Sequence, residues 1–220
     1  MPINTAVYQN IISELNKKSV TLVAVSKTKP VEDILELYTL GQRDFGENYV
    51  QELTEKYELT PKDIRWHFIG HLQSNKVKYI APFASLIHSV DSKKILAEID
   101  KQAKKNNRII DCLLQIHIAE EETKFGFNEN ELKELISSDL TVYRNVQIKG
   151  LMGMASFTDD IQKVRNEFKF LKRLFDKYSS WSIVNYQFSI LSMGMSADYE
   201  VAIEEGSNMV RIGSLLFGKR

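Results

Sequence analysis

Thr21-Leu22-Val23-Ala24-Val25-Ser26-Lys27-Thr28-Lys29-Pro30 opens with an unbroken aliphatic and β-branched run, sets a lysine just past it, and closes on a proline. A run without polar alternation reads as a short strand covered on both faces, the pattern of a parallel sheet. Lys27 then stands at the carboxyl edge of that sheet, where α/β folds collect their chemistry because the loops converge on a crevice or barrel mouth. An ammonium partly withdrawn from water loses some of its preference for the charged form, and its free amine can attack a carbonyl. Lys29, two residues on, pushes the same way if the chain stays extended. A lysine in a loop ordinarily does no more than solvate it, so the neighbouring segments decide between the two readings.

Working outward, the same grammar repeats. Before the strand, Val7, Ile11, Ile12 and Leu15 have helical spacing and predict an amphipathic helix over residues 4–18. After it, Pro30 and Asp33 start a helix whose apolar positions are Ile34, Leu35, Leu37, Tyr38 and Leu40, and Gly41 stops it. A second strand, Phe45-Gly46-Glu47, exits at Asn48 into a polar helix ending near residue 57. A third spans 66–70, and in the following His71-Leu72-Gln73-Ser74-Asn75-Lys76 the hydroxyl of Ser74 is placed to cap the next helix. Strand 86–90 leads to a helix capped by Asp91 and reaching about residue 106. Strand 109–118 runs into the loop Glu120-Glu121-Glu122-Thr123-Lys124-Phe125-Gly126, then a helix over 129–137. Strand 147–154, a helical stripe through Ile161, Val164, Phe168, Leu171, Leu174 and Phe175, strand 188–193, helix 197–205 and strand 209–217 complete the series.

Strands alternating with helices in this way predict an α/β fold, a single-domain (β/α)8 TIM barrel over residues 1–220 with an extra N-terminal helix. The last strand is expected to have no helix behind it, leaving the N-terminal helix to cover the seam. An open doubly wound sheet would need two edge strands, and these strands carry little edge protection. With 220 residues and 43% apolar content the chain can bury a large core. Its 29 basic and 29 acidic residues balance, so no global field draws in nucleic acid or an anionic membrane. The amino terminus lacks a basic segment followed by an apolar one, and no run approaches the ~18 apolar residues of a membrane span, which predicts a soluble cytoplasmic protein. The single cysteine, Cys112, sits in the apolar run Ile109-Ile110-Asp111-Cys112-Leu113-Leu114 and reads as core, with no disulfide within the chain.

In a barrel, function collects just past the strand ends, and there the chain carries Lys27, Asn48, His71, Asp91, Ser156, Ser192, Ser196 and Arg211. Barrels often bind phosphate at the loops after strands seven and eight. Here those loops are Leu191-Ser192-Met193-Gly194-Met195-Ser196 and Arg211-Ile212-Gly213-Ser214. Glycines admit close backbone approach, serines add hydroxyl donors, and the helix over 197–205 aims its amino end at the same place. The economical reading is a phosphate-bearing ligand across the mouth from a reactive lysine, although small residues also tighten turns for structural reasons alone. His67 and His71 have the spacing of a metal pair on a helix, but in an extended segment they lie ~13 Å apart, so no metal is expected. His67 and His88 read as interior groups behind the ligand contacts, the glutamates at 120–122 as a solvated face, and Lys149 as a residue with no arguable role.

Taken together, Val23-Ala24-Val25-Ser26-Lys27-Thr28-Lys29-Pro30, Phe45-Gly46-Glu47-Asn48-Tyr49-Val50-Gln51-Glu52, Trp66-His67-Phe68-Ile69-Gly70-His71-Leu72-Gln73-Ser74-Asn75-Lys76, Leu151-Met152-Gly153-Met154, Leu191-Ser192-Met193-Gly194-Met195-Ser196 and Met209-Val210-Arg211-Ile212-Gly213 closely resemble the pyridoxal phosphate homeostasis protein family. Members of that family look like the N-terminal barrel domain of alanine racemase (PLP fold type III) standing by itself, and the match covers essentially the whole chain. The resemblance implies that Lys27 holds pyridoxal 5'-phosphate (PLP) as a Schiff base, with the phosphate near Ser192, Gly213 and Ser214. It also puts Met193 and Ser196 among the cofactor-binding residues, Arg211 at the pyridine nitrogen and Asn48 on the ring's hydroxyl side. A guanidinium is a permanent donor and cannot stabilise a protonated pyridine as a carboxylate does, which disfavours aminotransferase and decarboxylase chemistry.

Racemisation asks less of the ring but needs an acid/base group on each face of the substrate carbanion. Lys27 supplies one; in alanine racemase the other is a tyrosine on a separate domain across a dimer, and it is missing here. The expectation is therefore a monomeric PLP-binding protein of vitamin B6 homeostasis. It would buffer or deliver the cofactor, meeting PLP-dependent apoenzymes transiently, without a dedicated reaction. The rival readings are a weak amino-acid racemase with His71 as its second acid, and a phosphosugar-binding barrel in which Lys27 condenses with the sugar carbonyl.

Overall fold

In the computed structural model, which describes residues 3–120, 125–179 and 188–218, the run that opened the reading is β1 (Thr21–Val25). Val23 packs with Leu86, Leu113, Met152 and Met209, while Leu22 and Ala24 join the larger apolar cluster between strands and helices. Burial on both faces explains why the strand shows no alternation. The remaining elements are α1 (Thr5–Lys17), α2 (Val31–Thr39), β2 (Asp44–Glu47), α3 (Val50–Leu59), β3 (Arg65–Phe68), α4 (Val77–Ile80), β4 (Leu86–Val90), α5 (Lys93–Lys105) and β5 (Ile110–Ile116). They continue with α6 (Glu129–Ser137), β6 (Val146–Gly153), α7 (Ile161–Ser179), β7 (Ile190–Met195), α8 (Tyr199–Glu204), β8 (Met209–Ile212) and α9 (Ser214–Phe217). Single 3₁₀ turns lie at Ser74–Lys76 and Leu140–Val142.

Each strand pairs in parallel with the next, and β8 returns to β1 with Met209 opposite Thr21 and Arg211 opposite Val23, so the sheet closes into a barrel. The predicted α/β barrel with its N-terminal helix is thus the observed architecture. Three local readings change. The stretch read as a strand over 209–217 is strand only to Ile212, after which the chain turns at Gly213 into α9. A four-residue apolar run is too short for its period to separate strand from helix. The last strand therefore does have a helix behind it, and α1 and α9 cover the seam together. Tyr8, Ile11 and Leu15 of α1 and Leu216 and Phe217 of α9 are buried, and Asn4 N donates to Leu216 O at 3.0 Å.

The other two changes concern caps. Ser92, not Asp91, caps α5, its Oγ accepting from Ile95 N at 3.3 Å. Ser74 opens a 3₁₀ turn and caps nothing through its side chain. Cys112 is buried, and that burial pushes its thiol up. Among the described residues no helix is long and apolar enough to cross a membrane.

Candidate functional site

The loops after β1, β2, β3, β6, β7 and β8 enclose a cleft of about 790 Å³ at the carboxyl end of the barrel. Lys27, Asn48, Ser196, Arg211, Gly213 and Ser214 all line it; Ser192, Met193 and His71 do not. The cleft is set to one side of the mouth. Because β8 pairs with β1, Lys27 and the Gly213-Ser214 turn stand on neighbouring strands rather than across the opening as expected, and closure of the barrel is the reason. Gly213 makes that neighbourhood tight, since a Cβ added there would lie 3.0 Å from the carbonyl oxygen of Val25.

The turn that carries Lys27 is clamped on both sides. Ser26 Oγ donates to Glu47 Oε1 at 2.6 Å, and the amide of Thr28, whose φ is 64°, donates to Glu52 Oε1 at 2.6 Å. Lys56 Nζ joins the two carboxylates, donating to Glu47 Oε1 at 2.7 Å, to Glu52 Oε1 at 2.6 Å and to the Ser26 carbonyl at 2.7 Å. Burial pushes the Glu47 carboxyl up, against the pull of Lys56 and Ser26, to about 6. The sequence reading passed over this cluster because α3 looks polar throughout. Its signal was Lys56 three residues after Leu53, on the face that both residues bury. Lys29 also borders the cleft, but its Nζ donates to the Phe217 carbonyl at 2.7 Å and ties the turn to α9.

Asn48 enters from the end of β2, and its buried Oδ1 has no hydrogen-bond partner among the described residues. A buried polar atom left alone is uncommon enough in folded proteins to point to a missing partner. Gly70 sets its position, for a Cβ there would be 2.1 Å from the Asn48 carbonyl oxygen. The wall after β6 is pinned by Ser156, whose N and Oγ both donate to the Glu167 carboxylate at 2.6 Å. Ser156 lines the cleft, as read, and is also a buried brace, while Phe157 beside it reaches the surface at 95% exposure. His71 stands away from the cleft. Its Nδ1 lies 3.1 Å from Asp91 Oδ2, and its ring stacks on Phe125 at 3.8 Å. Glu120 pairs with Lys163, while residues 121–124, including Lys124, lie outside the described residues.

Arg211 rises from inside the barrel to the cleft floor. It is buried and donates from Nη1 to Ser192 Oγ at 2.7 Å and from Nη2 to the Gly153 carbonyl at 3.0 Å. Burial pushes its guanidinium down to about 10, with Asp198 pulling the other way, so it remains a cation at neutral pH. Ser192 therefore sits behind Arg211 instead of in the cleft, and Met193 faces the outer core, since successive residues of β7 point to opposite faces. The loop residue Ser196 reaches the cleft in their place, its Oγ accepting from Gly213 N at 3.2 Å. Gly194, at φ 95°, lies within β7 where the pairing with β8 shifts register; a Cβ there would lie 2.6 Å from that of Ala202. Below Ser192, His88 Nδ1 is 3.1 Å from its Oγ, His88 Nε2 is 2.9 Å from His67 Nδ1, and His67 Nε2 is 2.9 Å from Asp44 Oδ1. Both histidines are interior groups, as read. Among the described residues, no group of three His, Cys, Asp or Glu side chains is arranged to hold a metal ion.

A lysine, an asparagine with a buried Oδ1, a buried cation and a serine-glycine turn thus meet in one cleft walled by Ile69, Met154 and Val201. That set suits a flat, anionic carbonyl compound. The family model described as alanine racemase, N-terminal domain, matches residues 4–220. The pyridoxal phosphate homeostasis protein of Aquifex aeolicus is 46% identical over 90% of this chain and 86% of its own length. That of Synechocystis is 41% identical over 98% of both. Among solved structures, PipY of Synechococcus elongatus without PLP superposes with a TM-score of 0.90 at 34% identity, covering 97% of this chain and 99% of that one. The same protein with PLP bound gives 0.83 at 32% identity over 96% and 100%. An alanine racemase of Clostridium difficile shares the fold, with a TM-score of 0.77 at 17% identity, over all of this chain and 59% of its own. The chain belongs to the pyridoxal phosphate homeostasis protein family, built on the barrel of the alanine racemase N-terminal domain.

Proposed function

We propose that this protein binds pyridoxal 5'-phosphate in the cleft, carries it as a Schiff base on Lys27, and serves as a reservoir or carrier of the cofactor in vitamin B6 homeostasis. The observation that carries this is the gathering of Lys27, Asn48, Arg211, Ser196, Gly213 and Ser214 around one cavity of about 790 Å³. The fit is specific at Asn48, whose buried and unpartnered Oδ1 faces the ring's hydroxyl side in this reading. Ser196, Ser214 and the turn at Gly213 take the phosphate, and Arg211 the pyridine nitrogen. When bound, the cofactor supplies an aldehyde that condenses reversibly with amines and a ring that withdraws electrons.

The chain's own part is to hold and mask the aldehyde. Ser26 and Thr28 fix the turn that presents the Lys27 amine. Arg211, a permanent donor, leaves the ring a poor electron sink. Racemisation would need a second acid across the ring from Lys27, and His71, the residue first considered for it, is outside the cleft with its Nδ1 engaged by Asp91. A reversible covalent link that a competing amine can displace suits transfer to a PLP-dependent apoenzyme.

Borohydride reduction of the PLP-loaded protein is expected to fix a pyridoxyl group on the peptide containing Lys27, and Lys27→Ala to lose the visible absorption band. A pyridoxyl label elsewhere refutes the assignment. Exchange of amino-acid α-protons in deuterated water is expected to stay below ~1 per second, the lower end of ordinary enzyme turnover; faster exchange would make the protein an enzyme.

A further inference from the structure

Arg211 is the upper end of an unbroken line of polar groups that crosses the inside of the barrel. From Nη1 the line passes to Ser192 Oγ on β7 (2.7 Å), to His88 on β4 (3.1 Å), to His67 on β3 (2.9 Å) and to Asp44 on β2 (2.9 Å). Asp44 closes it near the amino-terminal end of the strands, where Arg65 Nε donates to its Oδ1 at 2.7 Å. Ser192, His88, His67 and Asp44 are all buried. Where water is scarce, each donor must find its acceptor within the line or remain costly.

The two ends fix the sense of every link between them. Arginine has only donors and an ionised carboxylate only acceptors. Hydrogen bonds from His67 and Arg65 hold the Asp44 carboxyl down at about 2, despite the opposing and larger effect of burial, so it is an acceptor at neutral pH. Ser192 accepts from Arg211, and within the line the one acceptor its own proton can reach is His88 Nδ1. His88 must then carry its proton on Nε2 and donate it to His67 Nδ1, and His67 must carry its own on Nε2 and donate to Asp44. Each hydroxyl or imidazole proton is used once and none is left over. One further proton would break the pattern. An imidazolium at His67 would donate in both directions, His88 would have to turn its proton to Nδ1, and Ser192 would receive two donors while its own proton had no place in the line. Burial, the largest influence on it, keeps His88 from taking that proton.

We propose that Ser192, His88, His67 and Asp44 are positioning residues that act through Arg211: a one-way hydrogen-bond line with two neutral Nε2–H imidazoles fixes the guanidinium at the cleft floor. A carboxylate at the far end of the barrel, outside the cleft lining, thereby governs how the cleft presents its buried cation. The spectroscopic arm of the test rests on PLP binding as proposed above; the tautomer arm does not.

The tautomer arm uses the unloaded wild-type protein. Nitrogen-15 correlation spectra at pH 7 are expected to show both His67 and His88 protonated on Nε2 alone. An Nδ1 proton on His88, or an imidazolium at either position, overturns the proposal whatever the cleft binds. In the loaded protein, Ser192→Ala and His88→Ala are expected to keep the borohydride label on Lys27, to shift the visible absorption maximum, and to release PLP about tenfold faster, as loss of one charged hydrogen bond would give. Folded variants with wild-type spectrum and release rate refute it. If wild-type Lys27 takes no label, the PLP reading falls, and the tautomers alone decide the line.

Discussion

Glu47 shows how one residue couples the lysine turn to solvent pH. Its carboxyl, pushed from 4.5 to about 6 chiefly by burial, binds a proton more tightly in the folded chain than in the unfolded one. Its contribution to stability is therefore fully present below pH 4.5 and lost as pH rises through 6. Glu47→Gln keeps an acceptor for Lys56 and Ser26 but cannot titrate. In urea unfolding between pH 4.5 and 7, the wild type should lose roughly 2 kcal/mol relative to this variant; parallel pH profiles would show that Glu47 has no raised carboxyl. Lys27 was legible at this scale because it follows an apolar run and a proline follows it. Lys56 was not, because a lysine on an amphipathic helix almost always stems over apolar surface and keeps its head in water. Only the fold reveals two carboxylates waiting beneath it.

At the scale of elements, the strands were readable and their endings less so. Parallel strands buried on both faces announce themselves as apolar runs, and the helices between them as stripes of period 3.6. The choice between Asp91 and Ser92 as a cap depends on which side chain tertiary contacts claim first, and His71 claims Asp91. The same applies to Ser192: near a strand's end, a reader without the register cannot tell an inward hydroxyl serving Arg211 from one that reaches the cleft. The junction between β2 and β3 gives the sharpest test. With 2.1 Å between a Cβ at position 70 and the Asn48 carbonyl oxygen, Gly70→Ala must push the end of β2 aside. It is expected to cost about 1–3 kcal/mol in chemical unfolding, as overpacking does, and to weaken PLP binding in a spectroscopic titration. Unchanged affinity would mean that Asn48 does not need its observed position.

For the whole molecule, the sequence was enough to predict closure and the covering of the seam by α1, but not the second helix that seals it. The seam between β1 and β8 is covered by α1 and by α9, a single turn whose sequence reads equally well as strand. Phe217 is fully buried there. Phe217→Ala is expected to lower stability by about 3–5 kcal/mol, measured by denaturant midpoint, with the unfolding slope unchanged because the barrel still opens as a unit. A loss under 1 kcal/mol would show that α9 is dispensable to the seam.

Pairing β8 with β1 also has a consequence in time. During synthesis Lys27 leaves the ribosome early, yet the arginine and the serine-glycine turn beside it are among the last parts of the cleft to be made. If the cofactor is held as proposed, its capture must wait for the pairing of β8 with β1, a long-range contact of the kind that forms slowly. On that reading, the cleft loads after the barrel has closed.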